Sequence, residues 1–225
     1  MSTYLWIDFL VIIFPFLFSF KKKIGYYRRF PELFLSILSV GTVFIVWDVM
    51  ATARGDWGFN ARYVLGMNFF GLPLEEVLFF VVVPFSCIFI YEVIALYIKE
   101  GGFRIPRAVF LVWAMGFLAL AFFNQERAYT FTVLMFCGAA MLLTLWFLPG
   151  LLNSSRYWLF ILAGYVPFLI VNYILTALPV VVYNPAAVWG VRVLTIPLED
   201  FFYSYAMLSL NLTVYLYYRK FFRGV

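Results

Sequence analysis

The chain has 225 residues, 66% of them hydrophobic and 12% charged, with a mean hydropathy of +0.98. That charge fraction is about half of what a soluble domain carries, which excludes a water-soluble globular fold and indicates a polytopic membrane protein. The net charge is +5 and histidine is absent, which removes histidine acid–base chemistry, histidine-ligated haem and histidine-rich di-iron sites.

Seven apolar segments are predicted as spans. The first, Tyr4–Phe20, ends in Lys21-Lys22-Lys23 and lacks a small-residue cleavage site, so it is read as a retained helix. The second, Leu33–Ala53, carries Asp48 and Thr52 near its end, four apart and so on one face. Gly55-Asp56-Trp57-Gly58-Phe59-Asn60 follows, a run of turn residues with a tryptophan expected at the membrane interface. Pro73 suits the opening turn of the third segment, Leu74–Ile98. Glu75 and Glu76 lie in that turn, where backbone N–H groups are free and the helix dipole favours negative charge. The fourth segment, Ala108–Phe123, is short against a span of about 20 residues. Tyr129–Leu148, Tyr157–Leu178 and Leu198–Tyr218 complete the set. Cys87 and Cys137 each lie inside an apolar run and read as small buried hydrophobes. Asp8 and Glu92 read as structural, with Glu92 expected to snorkel towards Lys99.

A polar constellation occurs twice, in register. Asp48, Thr52, Asn60, Gly66, Pro73, Leu74, Glu75 and Glu76 match Asn172, Thr176, Asn184, Gly190, Pro197, Leu198, Glu199 and Asp200, each pair 124 positions apart. Duplication of a unit is the simplest cause. The expected fold class is therefore an all-α membrane protein of about seven transmembrane helices, with tandem three-helix repeats joined by a linker helix. The first repeat covers 1–104, the linker 105–125 and the second repeat 126–225. A single linker helix after three helices gives both units the same orientation.

Numbering the faces alternately puts Lys21, Lys22, Lys23, Arg28, Arg29, Lys99, Arg104, Arg107, Arg156, Arg219, Lys220 and Arg223 on one side. Arg54, Arg62, Arg127 and Arg192 fall on the other. By the positive-inside rule this predicts a multi-pass cell-membrane protein with its N-terminus outside and its C-terminus cytoplasmic. The basic excess is a topology signal and implies no nucleic-acid partner.

Carboxylates beside apolar spans default to a functional reading. The repeated motif nominates Glu75 and Glu199 as the leading proton-transfer groups, with Glu76 and Asp200 assisting. Asp48, Thr52, Asn60, Asn172, Thr176 and Asn184 are candidate supporting residues. Phe79 and Phe80, four residues after the two glutamates, and Phe202 and Tyr203 in the second unit, are candidates for stabilising a cation through their ring faces. No metal-ligating motif and no Gly-rich dinucleotide fingerprint is present, and Gly101-Gly102 reads as a loop, so the sequence names no cofactor. A small transporter with a polar site between its repeats has the same three-plus-one-plus-three layout. Position separates the two readings: a transporter's polar residues lie near the midplane, and these cluster at one end of the spans.

The run Phe44-Ile45-Val46-Trp47-Asp48, with Thr52, Gly55, Trp57, Phe59-Asn60, Pro73-Leu74-Glu75-Glu76 and Phe79-Phe80, resembles the lycopene cyclase domain of bacterial, archaeal and fungal carotenoid cyclases. Thr195-Ile196-Pro197-Leu198-Glu199-Asp200-Phe201-Phe202-Tyr203 resembles the second copy of that domain. In that family the two copies are separate small subunits or are fused in one chain, and this chain resembles the fused form. The departures are Asn172 where the first copy has Asp48 and Val181 where it has Trp57. The resemblance implies closure of the linear ends of lycopene to β-rings, giving γ-carotene and β-carotene, without redox change. The implied partners are lycopene and other linear carotenoids, the lipid bilayer and other carotenoid-pathway enzymes. Such a reaction needs an acid able to protonate an alkene, a dry pocket for the carbocation and a base. With no histidine, the carboxyl groups are the candidates, and their division into acid and base stays open at this level.

Overall fold

The structure, a computed structural model, describes residues 2–223. The side chain of Arg223, one of the basic residues on the crowded face, lies outside the described residues. Seven α-helices occupy the apolar segments: α1 (Thr3–Ser19), α2 (Phe30–Arg54), α3 (Leu74–Tyr97), α4 (Arg107–Phe122), α5 (Ala128–Phe147), α6 (Ser155–Ala177) and α7 (Leu198–Arg223). Four helical segments, in α2, α3, α5 and α6, are long and apolar enough to cross a membrane, and α1 and α4 are shorter apolar helices.

Local chemistry sets the helix ends. Ser2 caps α1 by accepting from the Leu5 N–H at 3.1 Å, and Ser154 caps α6 by accepting from Tyr157 N–H at 3.1 Å. Gly55 ends α2 in the left-handed conformation, φ 79°, where its N–H reaches the Ala51 and Thr52 carbonyls. Pro15 removes the donor that would satisfy the Val11 carbonyl inside α1. Ser86 of α3 supplies it instead, at 3.0 Å, which pins the two helices together.

The third helix of each unit is central. α3 packs against α1, α2, α6 and α7, and α7 against α2, α3, α5 and α6. The second helix of each unit packs more extensively on the third helix of the other unit than on its own. α7 is rich in buried polar groups, and two of them find partners across an interface: Ser209 bonds the Tyr157 hydroxyl at 2.7 Å, and Thr213 bonds Thr144 at 2.8 Å. The Asn211 backbone carbonyl accepts from Ser36 at 2.8 Å.

Short strands replace the turns expected between the second and third helices. β1 (Trp57–Phe59) pairs antiparallel with β4 (Val181–Tyr183), with Gly58 opposite Val182. Those two residues are themselves 124 apart, so the pair lies on the local twofold that exchanges the motifs. The flanking bonds are reciprocal: Asn60 N–H donates to Val180 at 2.9 Å and Asn184 N–H to Asp56 at 2.9 Å. Two matching hairpins, β2 (Asn68–Phe69) with β3 (Leu72–Pro73) and β5 (Arg192–Val193) with β6 (Ile196–Pro197), lead into α3 and α7. Their tips hold Phe70 and Leu194 at φ 53° and 56°.

At the opposite end, Glu92 does not reach towards Lys99 as the sequence predicts. It is buried against Arg219 at 2.7 Å, Arg29 at 3.5 Å and the Tyr215 hydroxyl at 2.9 Å. Arginines carried by neighbouring elements outcompete a flexible lysine at the helix end. Cys87 and Cys137 are buried and free, as their apolar surroundings predict.

Candidate active site

Beneath the β1–β4 ribbon lies a cavity of about 50 Å³, built from both units. The first unit contributes Asp48 near the end of α2 and Glu76 in the first turn of α3; the second contributes Asp200 in the first turn of α7. These carboxyl groups are 1%, 9% and 2% exposed, so all three are buried beneath the ribbon.

Each carboxyl group has its own partners. Asp48 Oδ1 accepts from Trp57 Nε1 at 2.9 Å and from Thr52 at 3.2 Å. Glu76 Oε2 accepts from the Tyr4 hydroxyl at 2.7 Å. Asp48 and Glu76 also face each other at hydrogen-bonding range. Two carboxylates offer only acceptors, so that bond exists only when one of the pair carries a proton. Asp200 receives two phenols: Tyr129 to Oδ1 at 2.5 Å, and Tyr183 to Oδ2 at 2.9 Å and to Oδ1 at 3.1 Å. Burial of the Tyr183 hydroxyl, with Asp200 beside it, pushes that phenol well above its usual range, so it stays a donor.

Aromatic rings make the remaining wall. Trp47 meets Trp57 at 5.3 Å and Tyr203 at 5.7 Å, and Trp57 meets Tyr129 at 5.0 Å. Phe79 and Phe80 from α3 close the floor. Ring faces at a buried site stabilise a positive charge without themselves adding a nucleophile.

Glu75 and Glu199 do not line this cavity. Glu75 Oε1 accepts from the Leu65 N–H at 2.7 Å and from the Ser2 hydroxyl. Glu199 Oε1 accepts from the Trp189 N–H at 2.5 Å and from Thr130 at 2.7 Å. Leu65 and Trp189 are 124 apart, so the two glutamates pin equivalent points of the two connecting loops. The second oxygen of each is buried with no hydrogen-bond partner among the described residues. Asn60 and Asn184 likewise hold the ribbon: their side-chain oxygens accept from Arg62 N–H at 3.1 Å and Ala186 N–H at 3.0 Å. Thr176 bonds Thr195 at 2.7 Å, away from the carboxyl groups. Asn172 and Tyr203 do line the cavity, and Phe202 turns outward against Trp189 and Phe117.

Sequence reasoning did not single out Tyr4, Tyr129 and Tyr183. Tyr4 and Tyr129 are equivalent: their N–H groups bond the Tyr63 and Ala187 carbonyls, themselves 124 apart, and their hydroxyls bond Glu76 and Asp200. They stand 125 apart, so the first helices of the units are one residue out of step with the motif, and a fixed 124 spacing passes over them. Trp57, expected at the interface, is 8% exposed and bonds Asp48.

A family model described as lycopene cyclase matches residues 1–94 and 126–218. No curated protein and no solved structure matches the chain. The two matched stretches contain Asp48, Glu76, Asp200 and the tyrosines that hold them, together with most of the chain, and the unmatched stretch contains α4. The match spans both copies of the repeated motif and most of the chain, and the chain belongs to the lycopene cyclase family.

Proposed function

We propose that this enzyme is a lycopene β-cyclase that spans the membrane seven times and works in the cavity between its two repeats. The observation that carries the reading is the contact between Asp48 and Glu76, facing Asp200 under one ribbon. The units are 1–104 and 126–225, with 105–125 as the linker helix. The N-terminus and the cavity lie outside and the C-terminus is cytoplasmic. Phe14, Leu38, Val112, Trp146 and Leu162 are exposed around the outside of the bundle, which suits lipid and not water.

In this mechanism the Asp48–Glu76 pair supplies the proton. It adds to the terminal double bond of the polyene and leaves a carbocation. The neighbouring double bond attacks that centre and closes the ring. Asp200, an acceptor of two phenolic hydroxyls, stands ready to remove a proton from the ring. One proton enters and one leaves, so substrate and product are isomers. Trp47, Trp57 and Tyr203 present their rings to the cation. Glu75 and Glu199 act through the loops they pin.

Expression in cells that accumulate lycopene, with pigment analysis, tests this. The intact chain is expected to yield β-ringed products. Glu76→Gln is expected to lower cyclisation by about 10²- to 10⁴-fold, the range of a lost general acid. Near-normal turnover by that variant, at normal abundance in the membrane, would move the acid elsewhere.

A further inference from the structure

Next to the carboxyl cavity lies a larger one, about 360 Å³, between α1, α3, α6 and α7. Its walls are almost wholly apolar: Val11, Val83, Val171 and Met207 are representative. The two spaces share Phe79, Asn172 and Tyr203. Leu10 of α1 and Ile170 of α6, which also line it, are 59% and 58% exposed, so the space opens sideways between those helices.

A duplicated chain has a counterpart to this space, between α5, α7, α2 and α3. At several positions there the side chain is larger. Phe136 stands where the first unit has Val11, using the 125 offset that relates Tyr4 to Tyr129. Trp47 replaces Val171, Val40 replaces Gly164, and Phe80 replaces Ser204. They pack on one another: Phe136 stacks on Phe44 at 4.8 Å and meets Trp47 at 5.2 Å. Gly164 leaves little room for a side chain, since a Cβ there would stand 2.8 Å from Leu208 Cδ1.

The carboxyl groups are unequal in the same sense. Asp48 gives the first unit a carboxyl pair, whereas Asn172 leaves Asp200 with tyrosines alone. One apolar space therefore meets the Asp48–Glu76 side of the site.

We propose that the enzyme has a single substrate channel with its mouth between α1 and α6. A linear carotenoid enters it end-first from the lipid, is cyclised at that end, and must leave and reverse before its other end reacts. A volume of about 360 Å³ is at the low end of the roughly 300–1,000 Å³ of drug-sized ligand pockets. It holds the end of a C40 polyene, and the rest extends through the mouth. The one-ring carotenoid is then a released product and not a bound intermediate. This inference rests on the cyclase reading above.

The mouth residues are exposed, so substitutions there leave the core intact. Leu10→Trp with Ile170→Trp is expected to lower cyclisation at least about tenfold, the scale of a steric misfit in an apolar pocket. The same change at the counterpart positions, Met135→Trp with Val46→Trp, is expected to leave it within about twofold of the unchanged protein. Gly164→Val and Val11→Phe, which copy the closed half, should act like the first pair, with membrane abundance and unfolding temperature measured alongside. In a time course on isotope-labelled lycopene, chased with unlabelled lycopene, label is expected in the one-ring pool before the two-ring pool. Equal effects of the two mouth pairs, or label passing to the two-ring product with no one-ring pool, overturns the single channel. If Glu76→Gln abolishes cyclisation while the α1–α6 mouth variant does not impair it, the channel alone is refuted. If Glu76→Gln is also active, the carboxyl mechanism fails with it.

Discussion

Neighbouring carboxyl groups in one helical turn do different work here because they point about 100° apart. Glu75 and Glu199 face the loops and accept backbone N–H bonds, whereas Glu76 and Asp200 face the cavity. The Pro-Leu-Glu match drew attention to the first of each pair, because identical residues are the stronger repeat signal. Glu76 and Asp200 differ by a methylene, and theirs is the position at which both units reach the cavity. Glu75→Gln keeps an acceptor for Leu65 N–H and Ser2. It is expected to retain turnover within about tenfold while Glu76→Gln loses far more, read from the same pigment profiles. The opposite order would return the acid to Glu75.

At the level of elements, three devices bring the site together. Gly55 and the hairpin tips reverse the chain, the ribbon joins the units, and the helix starts present their first turns beneath it. The far end has its own clamp, in which Glu92 of α3 holds Arg219 of α7 and Arg29 before α2. Its counterpart in the second unit is Leu216. Glu92→Leu leaves two arginines facing each other and removes an acceptor from Tyr215. A partly exposed cluster of this kind is expected to cost about 1–3 kcal/mol, less than a fully buried pair. Thermal unfolding in detergent should show the drop, with the ratio of one-ring to two-ring product unchanged. A changed ratio would mean that the clamp also shapes the channel.

For the whole molecule, the exchange of second helices between units is decisive. α2 leans on α7 and α6 on α3, so a half chain leaves both faces uncovered. Splitting within the Gly101-Gly102 loop is therefore expected to give halves that cyclise lycopene only when co-expressed. Reporters fused after Lys23 and after Val225 should both report cytoplasm. Cyclisation by 1–102 alone would show that each repeat is its own catalyst.

The sequence by itself determined the seven apolar helices and the polar motif that recurs 124 positions later. Apolar runs and polar motifs carry those signals locally: hydropathy marks a span whatever it packs against, and a duplication survives as spacing. Tertiary structure alone decided which carboxyl groups meet. Asp48 lies in α2 and Glu76 in α3, while the phenols that reach Glu76 and Asp200 come from α1, α5 and β4. Their meeting depends on helix rotation and on a one-residue shift between the first helices. It also shaped the apolar space between α1, α3, α6 and α7, because the volume left between helices depends on facing side chains distant in the chain. Val11 against Phe136, and Gly164 against Val40, are unremarkable substitutions along the sequence and decide the shape of the space only once packed.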